Sequence, residues 1–158
     1  MSRCLRLLIA FDGGGYQGWQ RQAHGPTVQG ELERALTTLC AHPVTVHGAG
    51  RTDAGVHALG MVAHFHTATT IPVAAFSKAL NSLLPADIRI LAAVEAEVGF
   101  HSRFDVWGKT YRYDFCTAAI QLPSTRLYTA HRPGPFDPER IREPLAVLVG
   151  THDFSSFE

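Results

Sequence analysis

The sequence predicts an α+β fold, a mainly antiparallel sheet with helices packed on one face. Apolar runs of strand length and amphipathic stretches of helical period succeed one another as strand, helix, strand, strand, helix, strand, the order of a split β-α-β arrangement. One of the strands alternates apolar with polar residues, as a sheet with a single buried face requires. Gly and Pro clusters stand between the elements where turns are needed.

The first element is Leu5 to Phe11, an apolar run of strand length ended by Asp12-Gly13-Gly14-Gly15. Val28, Leu32, Ala35, Leu36 and Leu39 then recur at helical spacing. Thr27 is placed as N-cap, Glu31 and Glu33 sit near the positive end of the dipole, and His42-Pro43 stops the helix. Val44 to Val46 reads as a short strand. Met61 to Thr67 reads as a half-buried one, with Met61, Ala63 and Phe65 opposing Val62, His64 and His66. Ala74 to Leu84 carries Phe76, Leu80, Leu83 and Leu84 on one helical face, closed by Pro85, and Ile88 to Val94 is the next strand. Lys109 to Cys116 alternates Lys109, Tyr111, Tyr113 and Phe115 against Thr110, Arg112, Asp114 and Cys116, a further strand. Pro138 to Val149 is a helix with Pro138 in its first turn. Residues 1–104 are thus expected to form one α+β subdomain, and 105–158 the aromatic, basic strand, a loop, a helix and the start of a second subdomain.

Composition narrows the functional classes. A chain of 158 residues with 46% hydrophobic and 18% charged residues can bury a core and is neither disordered nor fibrous. The longest apolar stretches, Leu7 to Phe11 and Ile90 to Val94, fall far short of the roughly 18 residues that span a bilayer. Arg3 and Arg6 interrupt any secretory h-region, so a cytoplasmic protein without membrane contact is expected. Cys4, Cys40 and Cys116 lack a C-x-x-C pair, against a disulfide framework or a Cys-based zinc site. Overall charge is balanced, 14 basic against 14 acidic, yet between Phe100 and Pro135 stand Arg103, Lys109, Arg112, Arg126 and Arg132 against Asp105 and Asp114. That segment can face an anion.

Four constellations invite a chemical reading. Gly13-Gly14-Gly15-Tyr16-Gln17-Gly18 matches G-x-G-x-x-G after a strand, but no helix starts there, so a dinucleotide site is not supported. A mobile turn, or a close approach to a ligand flanked by Tyr16, Trp19, Gln20, Arg21 and Gln22, remains. Gly50 to His57 sets Arg51 and Asp53 among small residues. Such a carboxylate is commonly an Asx-turn group, but with Arg51 beside it in a cleft it stays ionised and can be a nucleophile at a sugar or an unsaturated base. His57 is read as satisfying a core hydrogen bond ahead of a proton-transfer role. His64 and His66 share a strand face without metal-ligand spacing, so they are read as structural or solvated and no metal is expected. Lys109-Thr110-Tyr111-Arg112-Tyr113 alternates aromatic and basic residues, which suits either a core strand or a platform for an unstacked base.

The run Ala49-Gly50-Arg51-Thr52-Asp53-Ala54-Gly55-Val56-His57 is more specific than any of these. Joined in order with Gly18 to Gln22, Phe100 to Phe104, Lys109 to Tyr113 and His152 to Phe157, it resembles the tRNA pseudouridine synthase A family over essentially the whole chain. The resemblance implies a split ferredoxin-like half of a pseudouridine synthase fold. It also implies isomerisation of uridine to pseudouridine in the tRNA anticodon arm, positions 38 to 40, without cofactor or metal, and a homodimer for the complete protein. By resemblance, Asp53 is the catalytic nucleophile, Arg51 supports it and fills the space of a flipped nucleotide, and Tyr111 lies against the target base. Arg103, His101, Gln20, Arg21, Gln22 and Lys109 complete the expected substrate contacts. The residues leave open whether Asp53 attacks C1′ or adds to C6. Family members continue past the His152 to Phe157 motif into a second half, so a fragment or a naturally short relative is expected. The rival expectations are a non-catalytic RNA-binding module on the same sheet and an inactive fragment. Asp53 beside Arg51 argues against a pure binder, because RNA phosphates repel a carboxylate.

Overall fold

A computed structural model describes residues 2–157, and they divide into two compact units between Lys109 and Thr110. In the first, β1 (Arg3–Phe11), α1 (Val28–Cys40), β2 (Val46–Gly48), β3 (Ala58–Thr67), α2 (Val73–Leu83) and β4 (Ile88–Glu95) follow in sequence. The strands form one sheet in the order β2-β3-β1-β4, every neighbour antiparallel. This is the split β-α-β order expected for an α+β fold.

The pattern of β1 explains the layering. Leu5, Leu7, Ile9 and Phe11 are buried while Arg6 and Leu8 are exposed, so the odd residues face inward. Register continues that face across the sheet, Leu5 opposite Phe65 and Leu7 opposite Ala63. Val28, Leu32 and Leu36 of α1 and Phe76 and Leu80 of α2 join the same core, each 0% exposed. A fully buried side chain of this size contributes about 1.5–3 kcal/mol, so both helices are held on one face. Thr27 caps α1 by accepting the Gly30 N–H at 3.2 Å. The helix ends earlier than Pro43 demands, because Ala41 turns left-handed with φ 59°.

Three expectations need correction. The strand expected at 44–46 lies at Val46–Gly48: Pro43 has no N–H, and the Val44 N–H is taken by Thr37 Oγ1 at 3.4 Å. The strand expected over 109–116 is reduced to β5 (Phe115–Cys116), paired in parallel with β6 (Ala130–His131). Alternation marks which side chains share a face but supplies no partner, and residues 110–114 have no ladder among the described residues. The last helix, α3 (Pro138–Leu145), gives way to a tighter 3₁₀ turn at Ala146–Leu148. Asp137 caps it by accepting the Glu139 N–H at 3.0 Å.

The second unit is distinct in kind. Among its described residues none is buried, and Tyr111, Tyr113, Ile120, Leu127, Val147 and Val149 are all exposed. Its order comes from the short parallel pair, from the Ala130 N–H donating to Asp114 O at 2.8 Å, and from stacking of Phe115 on Phe136. Among the described residues no helix is long and apolar enough to cross a membrane.

Candidate active site

The loop from Ala49 to His57 joins β2 to β3, and its stem is kept closed by the Ala49 N–H donating to Val62 O at 2.8 Å. The segment after β1 packs directly on it. The Trp19 N–H donates to Thr52 O at 3.0 Å, and the Gly55 N–H to Tyr16 O at 3.4 Å. A methyl group on Gly13 would stand 2.0 Å from Val56 O, and one on Gly18 2.4 Å from Thr52 O. The glycines that resemble a dinucleotide motif therefore admit the backbone of the Arg51–Asp53 loop rather than a ligand.

Trp19 and Tyr16 are correspondingly core residues and not stacking surfaces. Trp19 is 2% exposed and lies over Gly48, where a Cβ would be 2.7 Å from the indole. Tyr16 donates its hydroxyl to Asp87 at 2.7 Å, and burial, helped by that carboxylate, pushes its pKa up.

Asp53 sits in the turn that this packing creates. Its carbonyl accepts the Val56 N–H at 3.2 Å and Gly55 supplies φ 80°. The carboxylate itself is exposed and has neither hydrogen bond nor ion pair among the described residues. Arg51 is also exposed, and no ion pair joins it to Asp53. Lys109 approaches the start of the loop, its Nζ lying where a Cβ on Gly50 would be 2.7 Å away. One carboxylate thus stands on a loop that carries Arg51 and is approached by Lys109.

Gln20, Arg21 and Gln22 are tied into the scaffold. Gln20 Nε2 and the Arg21 N–H donate to Gln29 Oε1 at 2.9 and 2.8 Å, and Gln22 Nε2 donates to Gln17 O at 3.1 Å. The Arg21 guanidinium pairs with Glu33 at 2.9 Å. Glu33, 6% exposed, also accepts from Gln29 and from the Val46 N–H, each at 3.0 Å. A buried carboxylate needs such a full set of donors. The network fixes the start of α1 against β2, and Gln29 and Glu33 are structural supports that helix periodicity alone conceals.

His101 and Arg103 flank Ser102, which is 2% exposed and pins the segment to the sheet. The Ser102 hydroxyl donates to His47 O at 2.6 Å, and its N–H donates to His64 Nδ1 at 3.2 Å. His64 is consequently 1% exposed, a structural residue and not a solvated one, while His66 stays exposed. Burial, reinforced by His101, His47 and His66, lowers the His64 pKa to about 4. His101 stacks on Phe104 at 4.3 Å, and Arg103 is exposed. Tyr111 belongs to the second unit, where it is 76% exposed. Among the described residues no three His, Cys, Asp or Glu side chains are grouped as metal ligands.

Residues 7–105 match the protein family described as tRNA pseudouridine synthase. The chain is 51% identical over 156 residues to tRNA pseudouridine synthase A 1 of Desulfotalea psychrophila, covering 99% of this chain and 62% of that protein. It is 47% identical over 155 residues to tRNA pseudouridine synthase A of Geotalea uraniireducens, covering 98% and 64%. With the Latilactobacillus sakei protein of the same name it shares 42% over 158 residues, covering 99% and 64%. The chain therefore spans less than two thirds of the length of these relatives.

Proposed function

Since the chain belongs to the tRNA pseudouridine synthase family, we propose that it carries the catalytic aspartate of an enzyme that isomerises uridine to pseudouridine in the tRNA anticodon arm, at positions 38 to 40. Asp53 is the nucleophile. Its exposed carboxylate, unpaired among the described residues on a loop whose backbone is fixed at both ends, is the observation that supports this reading. Whether it attacks C1′ or adds to C6, the N1–C1′ bond breaks, C5–C1′ forms, C5 loses its proton and N1 gains one. The reaction is an isomerisation that balances without cofactor, metal or co-substrate.

Arg51 fills the space left by the flipped nucleotide, and Tyr111 lies against the target base. Lys109, Arg103 and His101 supply cationic or hydrogen-bonding groups toward phosphate, while Gln20, Arg21 and Gln22 act largely through the scaffold they brace. The complete protein works in the cytoplasm as a homodimer. The decisive experiment is Asp53→Asn in the full-length protein, which keeps the shape but removes the nucleophile. Pseudouridine formation should vanish while tRNA binding survives; turnover within a few-fold of the parent would remove Asp53 from the mechanism.

A further inference from the structure

Asp12 is the first residue after β1 and His57 the last before β3. His57 Nδ1 stands 2.9 Å from Asp12 Oδ1 and 3.1 Å from the Gly13 nitrogen. With a proton on Nδ1 the ring donates to the carboxylate, and without one it accepts from the Gly13 N–H. In either form it remains tied to the exit of β1. Asp12 is itself anchored: its carboxylate accepts the Gly14 N–H at 2.9 Å, and its own N–H donates to Asp87 O at 2.9 Å.

Both side chains are 37% exposed, and an ion pair so placed adds little to global stability. What it fixes is local. At one end the loop is held through Ala49 and Thr52, and at the other through Gly55 and His57, with Asp53 between. A nucleophilic carboxylate engaged in its own hydrogen bonds is less reactive, so its orientation has to come through the backbone. We propose that Asp12 and His57 are positioning residues that clamp the C-terminal stem of the 49–57 loop and thereby aim the unpaired Asp53 carboxylate. The inference rests on Asp53 being the nucleophile.

Asp12→Ala, His57→Ala, their double variant and His57→Asn in the full-length protein test it, with an unmodified tRNA transcript as substrate and hydrogen exchange of the 51–57 amides as a second readout. Asp12→Ala removes the oxygen that His57 Nδ1 and the Gly14 N–H share. Both single variants should lower kcat about tenfold or more with KM within about threefold, as misaimed reacting groups do. The double variant should be no worse than the poorer single one, and the Gly55 and Val56 amides should exchange faster. His57→Asn, whose amide reaches toward Asp12 from near the Nδ1 position, should recover part of the rate, and it carries the test if His57→Ala fails to fold. A kcat unchanged within about twofold, losses that multiply in the double variant, a rate that falls only with the folded fraction, or unchanged exchange at Gly55 and Val56 would each overturn the clamp. If Asp53→Asn turns over like the parent, the nucleophile assignment falls instead, and exchange alone still decides whether the pair holds the loop.

Discussion

Gly18, with φ 85°, faces the carbonyl of Thr52 so closely that a Cβ would lie 2.4 Å from its oxygen. Gly55 offers the control, having φ 80° but nothing within 4 Å of a built Cβ. Gly55→Ala meets only the left-handed penalty, about 1–2 kcal/mol. Gly18→Ala adds overpacking of typically about 1–3 kcal/mol against backbone that cannot swing aside. Thermal or urea unfolding should therefore rank Gly18→Ala clearly below Gly55→Ala in stability. Equal losses would mean that the two segments do not touch as described.

Arg51 is exposed and makes no ion pair with Asp53, so replacing it should leave folding nearly unchanged. Its planar, five-donor guanidinium is nevertheless not reproduced by an ammonium. In the full-length protein Arg51→Lys should lower kcat/KM by about tenfold or more with an unaltered melting curve. A rate within about threefold of the parent would make Arg51 a bystander.

Ala41 occupies the left-handed region, φ 59° and ψ 26°, just past α1. Glycine adopts this conformation without the Cβ penalty that alanine meets. Ala41→Gly should stabilise the chain by about 0.5–1 kcal/mol, with the melting temperature rising by about 1–4 °C. A lowered melting temperature would show that α1 does not end as described.

Apolar period makes β1, α1 and α2 legible, because burial on one face writes itself into residue spacing. The register of β2 is not legible. It depends on which neighbour takes each N–H, and the Val44 and Val46 amides go to the Thr37 and Glu33 side chains. Gln20, Arg21 and Gln22 advertise hydrogen-bonding capacity without saying to whom: Gln29 and Glu33, the partners of Gln20 and Arg21, lie across the turn in α1, and Gln22 turns back to the Gln17 carbonyl. The glycines of 13–18 likewise announce a close approach, but only folding reveals that the approaching group is the backbone of the Asp53 loop. Burial of His64 escapes a strand-by-strand reading because its cover, Ser102, comes 38 residues later.

That buried histidine makes stability depend on pH. In the unfolded chain His64 binds a proton near its ordinary value of 6.5, but in the folded protein only near 4. Between these values the unfolded state holds more protons, so stability rises with pH through the window and is lost as pH falls from about 6.5 toward 4. The depression corresponds to about 3 kcal/mol at most, large beside the few tenths that exposed groups contribute. Carboxylates titrate at the lower edge of the same window, so a comparison must isolate the imidazole. His64→Gln removes the titrating ring while keeping an acceptor for the Ser102 N–H. It should be less stable than the parent at pH 7, and from pH 7 to pH 4 it should lose about 2–3 kcal/mol less in urea unfolding. Parallel curves for the two proteins would mean that His64 is protonated as readily folded as unfolded, and that the Ser102 cover does not exclude water.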